Sequence, residues 1–349
     1  MRFDIVIYGV TGFTGTFILE RLVKSKEFEN ISYAVAGRND EKIKAVLEEI
    51  TQKTGINVNE TPIIHADSSI EESLNNMAKK AKVIINGVGP YSLYGETVVK
   101  AAVSNGASHV DISGEQTWIE EMALKYNEDA KKTGSFVVSA CGFDSIPADL
   151  GVNYLKKHFN GDLNDVEAFI RIYSGPEGYS LNTGTYNTAI MFMGSFFSNR
   201  AKNLPARLMP QSIQKNVVKP KMRIPISRVE KEFLSGAVFP FMGCDKPIVK
   251  RSQYYDATVR NIRPNNGPSE RQMKESSFSY YFSGRGYDDK LPLDQEHRGN
   301  PTKTMIVSCK GPDLAYAATA GCVLSAALTL IKDTDNLPKE LVELIENTE

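Results

Sequence analysis

Gly9-Val10-Thr11-Gly12-Phe13-Thr14-Gly15 follows directly on a strand-like run, Phe3 to Tyr8, and opens a helical stretch. That arrangement suits a dinucleotide. Gly9 permits a tight turn, Gly12 lets the backbone approach a pyrophosphate, and Gly15 lets the helix sit close to the sheet. The helix N-terminus adds N–H groups and a positive dipole for the phosphate oxygens. Thr11, Phe13 and Thr14 complete the expected contact set of this turn. The spacing Gly-x-x-Gly-x-x-Gly differs from the Gly-x-Gly-x-x-Gly of NAD-type sites.

The second strand ends in Ala34-Val35-Ala36-Gly37-Arg38-Asn39, where an NAD site would carry an acid for the ribose 2′-hydroxyl. An acid would repel a 2′-phosphate, whereas Arg38 can pair with it in a forked, charge-assisted contact. NADP(H) is therefore expected over NAD(H), the alternative being that Arg38 is an ordinary surface arginine. Lys42, one turn further on, either adds to that charge or is simply solvated. Gly37 and Asp67, the latter beyond the third strand, are counted with the cofactor-binding residues. After the fourth strand, Asn86-Gly87-Val88-Gly89-Pro90-Tyr91 falls at the carboxyl edge of the sheet, where the strand order reverses and ligands bind. Gly87 and Gly89 leave room there for the ribose and nicotinamide, with Val88, Pro90 and Tyr91 beside them. Tyr91 reads either as a catalytic donor to a substrate carbonyl or as a packed aromatic.

Two further loops are expected at the same edge, Asp111-Ile112-Ser113-Gly114-Glu115 and Cys141-Gly142-Phe143-Asp144-Ser145-Ile146-Pro147. Gly89 to Tyr91, Ser113 to Glu115 and Cys141 to Asp144 should then line a single pocket with the nicotinamide. Asp144 is the second catalytic candidate, for proton transfer, although Asp144 or Ser145 before Pro147 also reads as a helix N-cap. Cys141 has no adjacent histidine to activate it as a nucleophile. The sequence contains no Tyr-x-x-x-Lys pair, no Gly-x-Ser-x-Gly elbow and no His-Glu-x-x-His, and its four cysteines and four histidines do not cluster. No metal site is expected, and metal-free hydride transfer remains.

Such loops need a sheet to carry them. Strand signals at Phe3 to Tyr8, Ile31 to Ala36, Pro62 to Ile64, Lys82 to Asn86, Ser108 to Ile112 and Phe136 to Ala140 alternate with helical stretches. These begin near Phe13, Asp40, Ser69, Gly95 and Gln116, with another after Pro147. That is the α/β pattern of a doubly wound parallel sheet. Beyond residue 151 the chain turns to aromatic and Gly-rich segments mixed with strands, read as an α+β domain. The expected division is residues 1–150 for the dinucleotide, 151–311 for the substrate, and a C-terminal helix within 312–349 returning to the first domain.

The 349 residues, 41% apolar and 24% charged, describe a globular protein and exclude disorder or fibre. A net charge of −1 gives no general reason to expect nucleic acid or an anionic membrane. Charge is unevenly divided, however, so an anionic partner would look to the more basic second half. Leu314 to Ile331 carries no charge over 18 residues, but its Ala, Thr, Ser and Gly content reads as a buried helix rather than a membrane span. Asn199 to Glu232 holds nine Lys/Arg against two acids, interrupted by prolines, and precedes the apolar run Gly236 to Gly243. This is either a solvated loop or a patch that meets an anionic or lipid surface. With no leader-like segment after Met1, a cytoplasmic location is expected.

Taken together, Val10 to Gly15, Ala36-Gly37-Arg38, Gly87 to Tyr91 with Tyr94-Gly95-Glu96, His109 to Glu115, and Ser139 to Asp149 resemble the saccharopine dehydrogenase-like oxidoreductases, relatives of the bacterial trans-acting enoyl reductases. The resemblance is close to residue 151 and looser through Gly184-Thr185, Val249-Lys250-Arg251-Ser252 and Gly311 to Tyr316. It implies a Rossmann domain, a second domain built on a mixed sheet, and reductase activity on a poorly defined substrate. Two features depart from the family pattern. The hydrophobic segment that follows Lys-Arg-Ser in family members is replaced by the short, polar Tyr254 to Gly267, and the tail after Pro338 is shortened, which weakens the family's implication of membrane or lipid-droplet attachment. The expected function is NADP(H)-dependent reduction of a C=C or C=N bond in an apolar or lipid-like substrate. A non-catalytic dinucleotide-binding scaffold at a lipid surface and a saccharopine dehydrogenase of lysine metabolism are the alternatives. Peripheral membrane or droplet contact and a homodimer complete the expectations.

Overall fold

A computed structural model describes residues 2–173, 186, 190, 203–213, 226–231, 234–238, 243–258, 277–292, 295–312, 318–333 and 337. The chain forms two compact units. The first comprises Met1–Gly142, Leu181–Leu208 and Ala315–Glu349, and the second Phe143–Ser180 and Met209–Leu314.

In the first unit, strands and helices alternate: β1 (Phe3–Tyr8), α1 (Phe13–Lys24), β2 (Tyr33–Gly37), α2 (Asp40–Thr54), β3 (Ile63–His65) and α3 (Glu71–Lys79). They continue as β4 (Ala81–Asn86), α4 (Tyr91–Ser104), β5 (Ser108–Asp111), α5 (Gln116–Thr133) and β6 (Val137–Val138). The strands form one parallel sheet in the order β3-β2-β1-β4-β5-β6, a Rossmann arrangement. Strand order reverses between β1 and β4, and ligands of such sheets bind outside the carboxyl ends of the strands at that point. Helices cover both faces, so the central strands read as continuous apolar runs. Ile5, Val6 and Ile7 of β1 and Ile84 and Ile85 of β4 are fully buried. Each such side chain contributes about 1.5–3 kcal/mol on burial.

Helix α6 (Ile146–His158) belongs to the second unit, whose boundary falls at Phe143 rather than at residue 150. The reason is packing. A Cβ at Gly151 would lie 2.1 Å from the Phe282 ring, so α6 seats its glycine directly on strand β10 (Ser277–Tyr287). That strand is central to an antiparallel sheet, flanked by β7 (Asp162–Tyr173) and β11 (Lys303–Pro312). A hairpin of β8 (Ser227–Lys231) and β9 (Leu234–Val238) stands apart in pairing. A short helix, α7 (Leu204–Leu208), packs against α5, and α8 (Asp245–Thr258) against α6.

The final described helix, α9 (Thr319–Lys332), packs against α1 and over β4 and β5 within the first unit. Its buried residues Ala320, Val323, Leu324, Ala327 and Leu330 follow helical spacing and form one apolar face. Among the described residues, no helix is long and apolar enough to cross a membrane. Residues 200–202 and 214–225 of the basic stretch, and 239–242 of the apolar run, lie outside the described residues.

Candidate functional site

The turn after β1 is built so that only glycine fits. Gly9 has a φ of +90°, and a Cβ there would come within 2.6 Å of Val88 Cγ2 and 3.2 Å of the Gly87 carbonyl carbon. The β1 turn and the loop after β4 therefore touch at the point where the strand order reverses. At Gly15 a Cβ would stand 2.2 Å from the Gly9 carbonyl oxygen and 2.9 Å from Val10 Cα, so α1 runs hard against its own turn. The Gly12 amide donates to Gly9 O at 2.9 Å, and Thr16 Oγ1 donates to Val10 O and Gly12 O, which rigidifies the loop. Helix α1 starts at Phe13 with no side-chain cap and no acid in its first turn. A close backbone, an uncapped helix end and no competing carboxylate fit a pyrophosphate. Thr11, Gly12 and Phe13 are exposed on this turn, and Thr14 is half-buried. Gly15→Ala is expected to displace α1, weakening NADPH binding at least about tenfold despite alanine's better helix propensity, as read by calorimetry.

Gly37 closes β2 beneath Ile43 of α2, and Arg38 emerges exposed beyond it. Among the described residues no hydrogen bond or ion pair engages the guanidinium. Asn39 caps α2 by accepting from the Lys42 amide at 2.9 Å, leaving the Lys42 side chain exposed. Asp67 accepts from the Ser69 hydroxyl (2.7 Å) and amide (2.8 Å). These bonds, with Arg38 nearby, hold its carboxyl below the usual range. Asp67 is thus a turn-former ahead of α3 that also shares Arg38's field.

The loop after β4 keeps Gly87 and Val88 half-buried and Gly89 exposed, and its Gly89–Pro90 peptide is cis. Asn86, fully buried, accepts from the Val88 amide at 3.0 Å. Tyr91 is packed inward. Only 4% exposed, its hydroxyl donates to Asn86 O at 2.9 Å and its ring packs on Trp118 at 5.2 Å between centroids. Burial holds its pKa well above the ordinary value. Its hydroxyl anchors the loop to the strand beneath it, the arrangement of a packed aromatic.

The loops after β4, β5 and β6 do converge, but their acids bind the chain itself. Glu115 accepts from the amides of Tyr91 (2.6 Å) and Ser92 (2.9 Å), capping α4 from a distant loop. Asp111, fully buried, accepts from the amides of Ser113 (2.8 Å) and Ala140 (3.1 Å) and from the Ser139 hydroxyl (2.7 Å). Burial pushes its carboxyl up to about 6, against the opposing pull of those bonds. His109 lies 3.7 Å from it through Nδ1, and burial pulls the imidazole down to about 3. Cys141 is buried and its thiol is pushed up, chiefly by that burial, so it stays unreactive.

Of the two cap candidates ahead of Pro147, Ser145 rather than Asp144 stands at the N-cap of α6. Asp144 lies in the second unit, where both carboxyl oxygens accept from the Cys244 amide at 3.1 Å. It caps a different helix, α8. Burial raises the Asp144 carboxyl to about 7. Neighbouring Asp245, held by the Tyr280 hydroxyl, is raised further by burial and by Asp144's charge. Asp144 is spent on backbone, as Glu115 is.

Comparison with known proteins is decisive at this point. Residues 5–138 match the saccharopine dehydrogenase NADP-binding domain. The chain is 48% identical to a lipid droplet localized protein of Caenorhabditis elegans, covering 97% of this chain and 92% of that one. It is 35% identical to the saccharopine dehydrogenase-like oxidoreductase of Rattus norvegicus, over 97% and 90% of the two chains. The chain belongs to the saccharopine dehydrogenase-like oxidoreductase family. A putative trans-acting enoyl reductase of Mycobacterium tuberculosis is 36% identical across 52% of this chain and 42% of its own. Apo saccharopine dehydrogenase (L-Glu forming) of Saccharomyces cerevisiae shares the fold, with a TM-score of 0.57, 12% identity and coverage of 96% and 92%. NADP is the cofactor of this family's first domain, and the glycine cradle and exposed Arg38 fit it.

The glycine turn, Arg38 and the post-β4 loop are marked by local sequence signals. The tasks of Asn86, Glu115 and Asp111 are not, although the carboxylates stand in loops already marked as converging.

Proposed function

We propose that this protein is an NADP(H)-dependent reductase of a C=C or C=N bond in an apolar or lipid-like substrate. The observation that carries the reading is the glycine cradle at the β1/β4 reversal, with an exposed arginine where an NAD site needs an acid. NADP(H) supplies hydride there. Gly9, Thr11, Gly12, Phe13, Thr14 and Gly15 take the pyrophosphate, Gly37 and Arg38 border the 2′-phosphate, Asp67 shapes the turn beside them, and Gly87, Val88, Gly89 and Pro90 flank the nicotinamide ribose. With Tyr91 and Asp144 engaged internally, the accompanying proton is drawn from solvent. Exposed apolar side chains at the N-terminal turns of α1 and α4, Phe13, Leu93 and Tyr94, support an apolar substrate.

The name of the worm relative supports a peripheral lipid association, and we hold a cytoplasmic location and a homodimer as part of the same reading. The test is NADPH oxidation across a panel of acyl-chain enoyl and imine acceptors, with short polar acceptors as controls. Consumption restricted to apolar acceptors is the expected result. NADPH binding without turnover on any acceptor would favour a scaffold role instead, and turnover on a polar amino-acid imine would favour a saccharopine-type reaction.

A further inference from the structure

We infer that Glu115 is a positioning residue for the nicotinamide half of the cofactor, an inference that rests on the NADP(H)-binding reading above. Its carboxylate is buried and receives the first two amides of α4, Tyr91 N at 2.6 Å and Ser92 N at 2.9 Å. Those amides are helix-end donors that nothing local satisfies, since Pro90 at the N-cap has no side-chain acceptor. A negative group at a helix N-terminus is doubly favoured, by hydrogen bonding and by the dipole. Glu115 is itself fixed by its amide, which donates to Ser113 Oγ at 3.1 Å, while the Ser113 amide is held by Asp111.

The consequence reaches the crevice through a short rigid path. Tyr91 is anchored by Glu115 at its amide and by Asn86 O at its hydroxyl, so both ends of the segment Gly87 to Pro90 are pinned. Within that segment Val88 is tied to Asn86 and packs against Gly9, where an added Cβ would meet its Cγ2 at 2.6 Å. The backbone of Gly87 to Gly89 therefore holds its place beside the phosphate turn because a carboxylate on the next loop holds α4. Glu115 touches neither cofactor nor substrate in this account. It acts through the loop, and only on the part of NADP(H) that the loop borders. The 2′-phospho-adenosine half lies by Gly12 to Gly15 and Arg38, beyond the point where the loop touches Gly9.

Two ligands separate these halves. NADPH spans both, whereas 2′,5′-ADP fills only the adenosine side. In the full chain, Glu115→Gln keeps one acceptor but turns an NH2 group toward an amide donor, and Glu115→Ala removes both acceptors. Calorimetry of wild type, E115Q and E115A with each ligand is the experiment. NADPH affinity should fall about tenfold in E115A and less in E115Q, with 2′,5′-ADP affinity unchanged within about twofold. Trp118, the single tryptophan of the chain, packs on Tyr91 and gives a second readout. Energy transfer from Trp118 to bound NADPH at saturation should be smaller in E115A than in wild type. Equal weakening of both ligands would mean a general structural role, and unchanged NADPH affinity with unchanged transfer would mean no role; either result overturns the inference. If E115A does not fold, E115Q carries the same comparison. Failure of wild type to bind NADPH at all would instead overturn the underlying NADP(H) reading, and is read separately from the variants.

Discussion

Arg38→Asp should reverse the cofactor preference of this protein. Wild type is expected to bind NADPH at least about tenfold more tightly than NADH, a difference of about 1.4 kcal/mol. The source is a forked contact between guanidinium and 2′-phosphate, and hydrogen bonds to charged groups contribute about 1.5–3 kcal/mol. Arg38 is exposed beyond β2 and unencumbered among the described residues, so it enters the contact without breaking an existing pair. Aspartate removes that attraction and adds repulsion to a dianionic group, so NADPH affinity should fall about 100-fold while NADH affinity holds or improves. Asn39 and its cap on α2 are untouched, and folding should be unaffected. Titrations of both dinucleotides by fluorescence check the result. Equal affinities for the two in wild type would remove the role assigned to Arg38.

How far the sequence could be read depended on how local the deciding contact is. The parallel sheet was legible because each strand is an apolar run bracketed by turn residues, and the register of Tyr8 beside Ala36 and Asn86 then places the three loops at one edge. Helix α1 and helix α2 begin where expected because glycine and Asn39 mark their starts within the segment itself. Helix α4 begins at Tyr91, four residues before the expected Gly95, because its cap arrives from Glu115 on another loop. The contact of Asp144 is hidden from the sequence for the same reason: its partner, the Cys244 amide, is 100 residues away. Tyr91 offered two readings, and only the packing of Trp118 and the carbonyl of Asn86 decides between them. Polar residues at the sheet edge thus announce their position but not whether they face ligand or protein. In this chain the acids face protein, and the glycines and Arg38 are left for the ligand.

The largest stability effect is expected at Asp111. It is fully buried and gathers two amides and a hydroxyl from the loops after β5 and β6. One of those amides belongs to Ala140, which has a φ of +59°, a left-handed conformation that costs about 1–3 kcal/mol and persists only where its surroundings impose it. Asp111→Ala orphans all three donors and should cost about 3–5 kcal/mol, seen as a large loss of melting temperature in the first unit. Asp111→Asn tests the charge. Folding raises this carboxyl from 3.8 to about 6, so its contribution to stability is fully present below pH 3.8 and lost as the pH rises through about 6. His109 works in the opposite sense. Its folded value of about 3 lies below the ordinary 6.5, so its contribution is present above pH 6.5 and lost as the pH falls toward 3. The two oppose one another between pH 4 and 6.5, and the wild-type profile alone cannot separate them. Comparing D111N with wild type cancels the histidine. The amide should cost little at pH 8, where it replaces a charge held against burial, and progressively more toward pH 4, by about 3 kcal/mol in total for a shift of this size. Urea unfolding of both proteins at pH 8, 6 and 4.5 measures the difference. A gap between them that stays constant with pH would show that Asp111 keeps its ordinary carboxylate pKa, and with it that these loops are held by an ionised acid throughout.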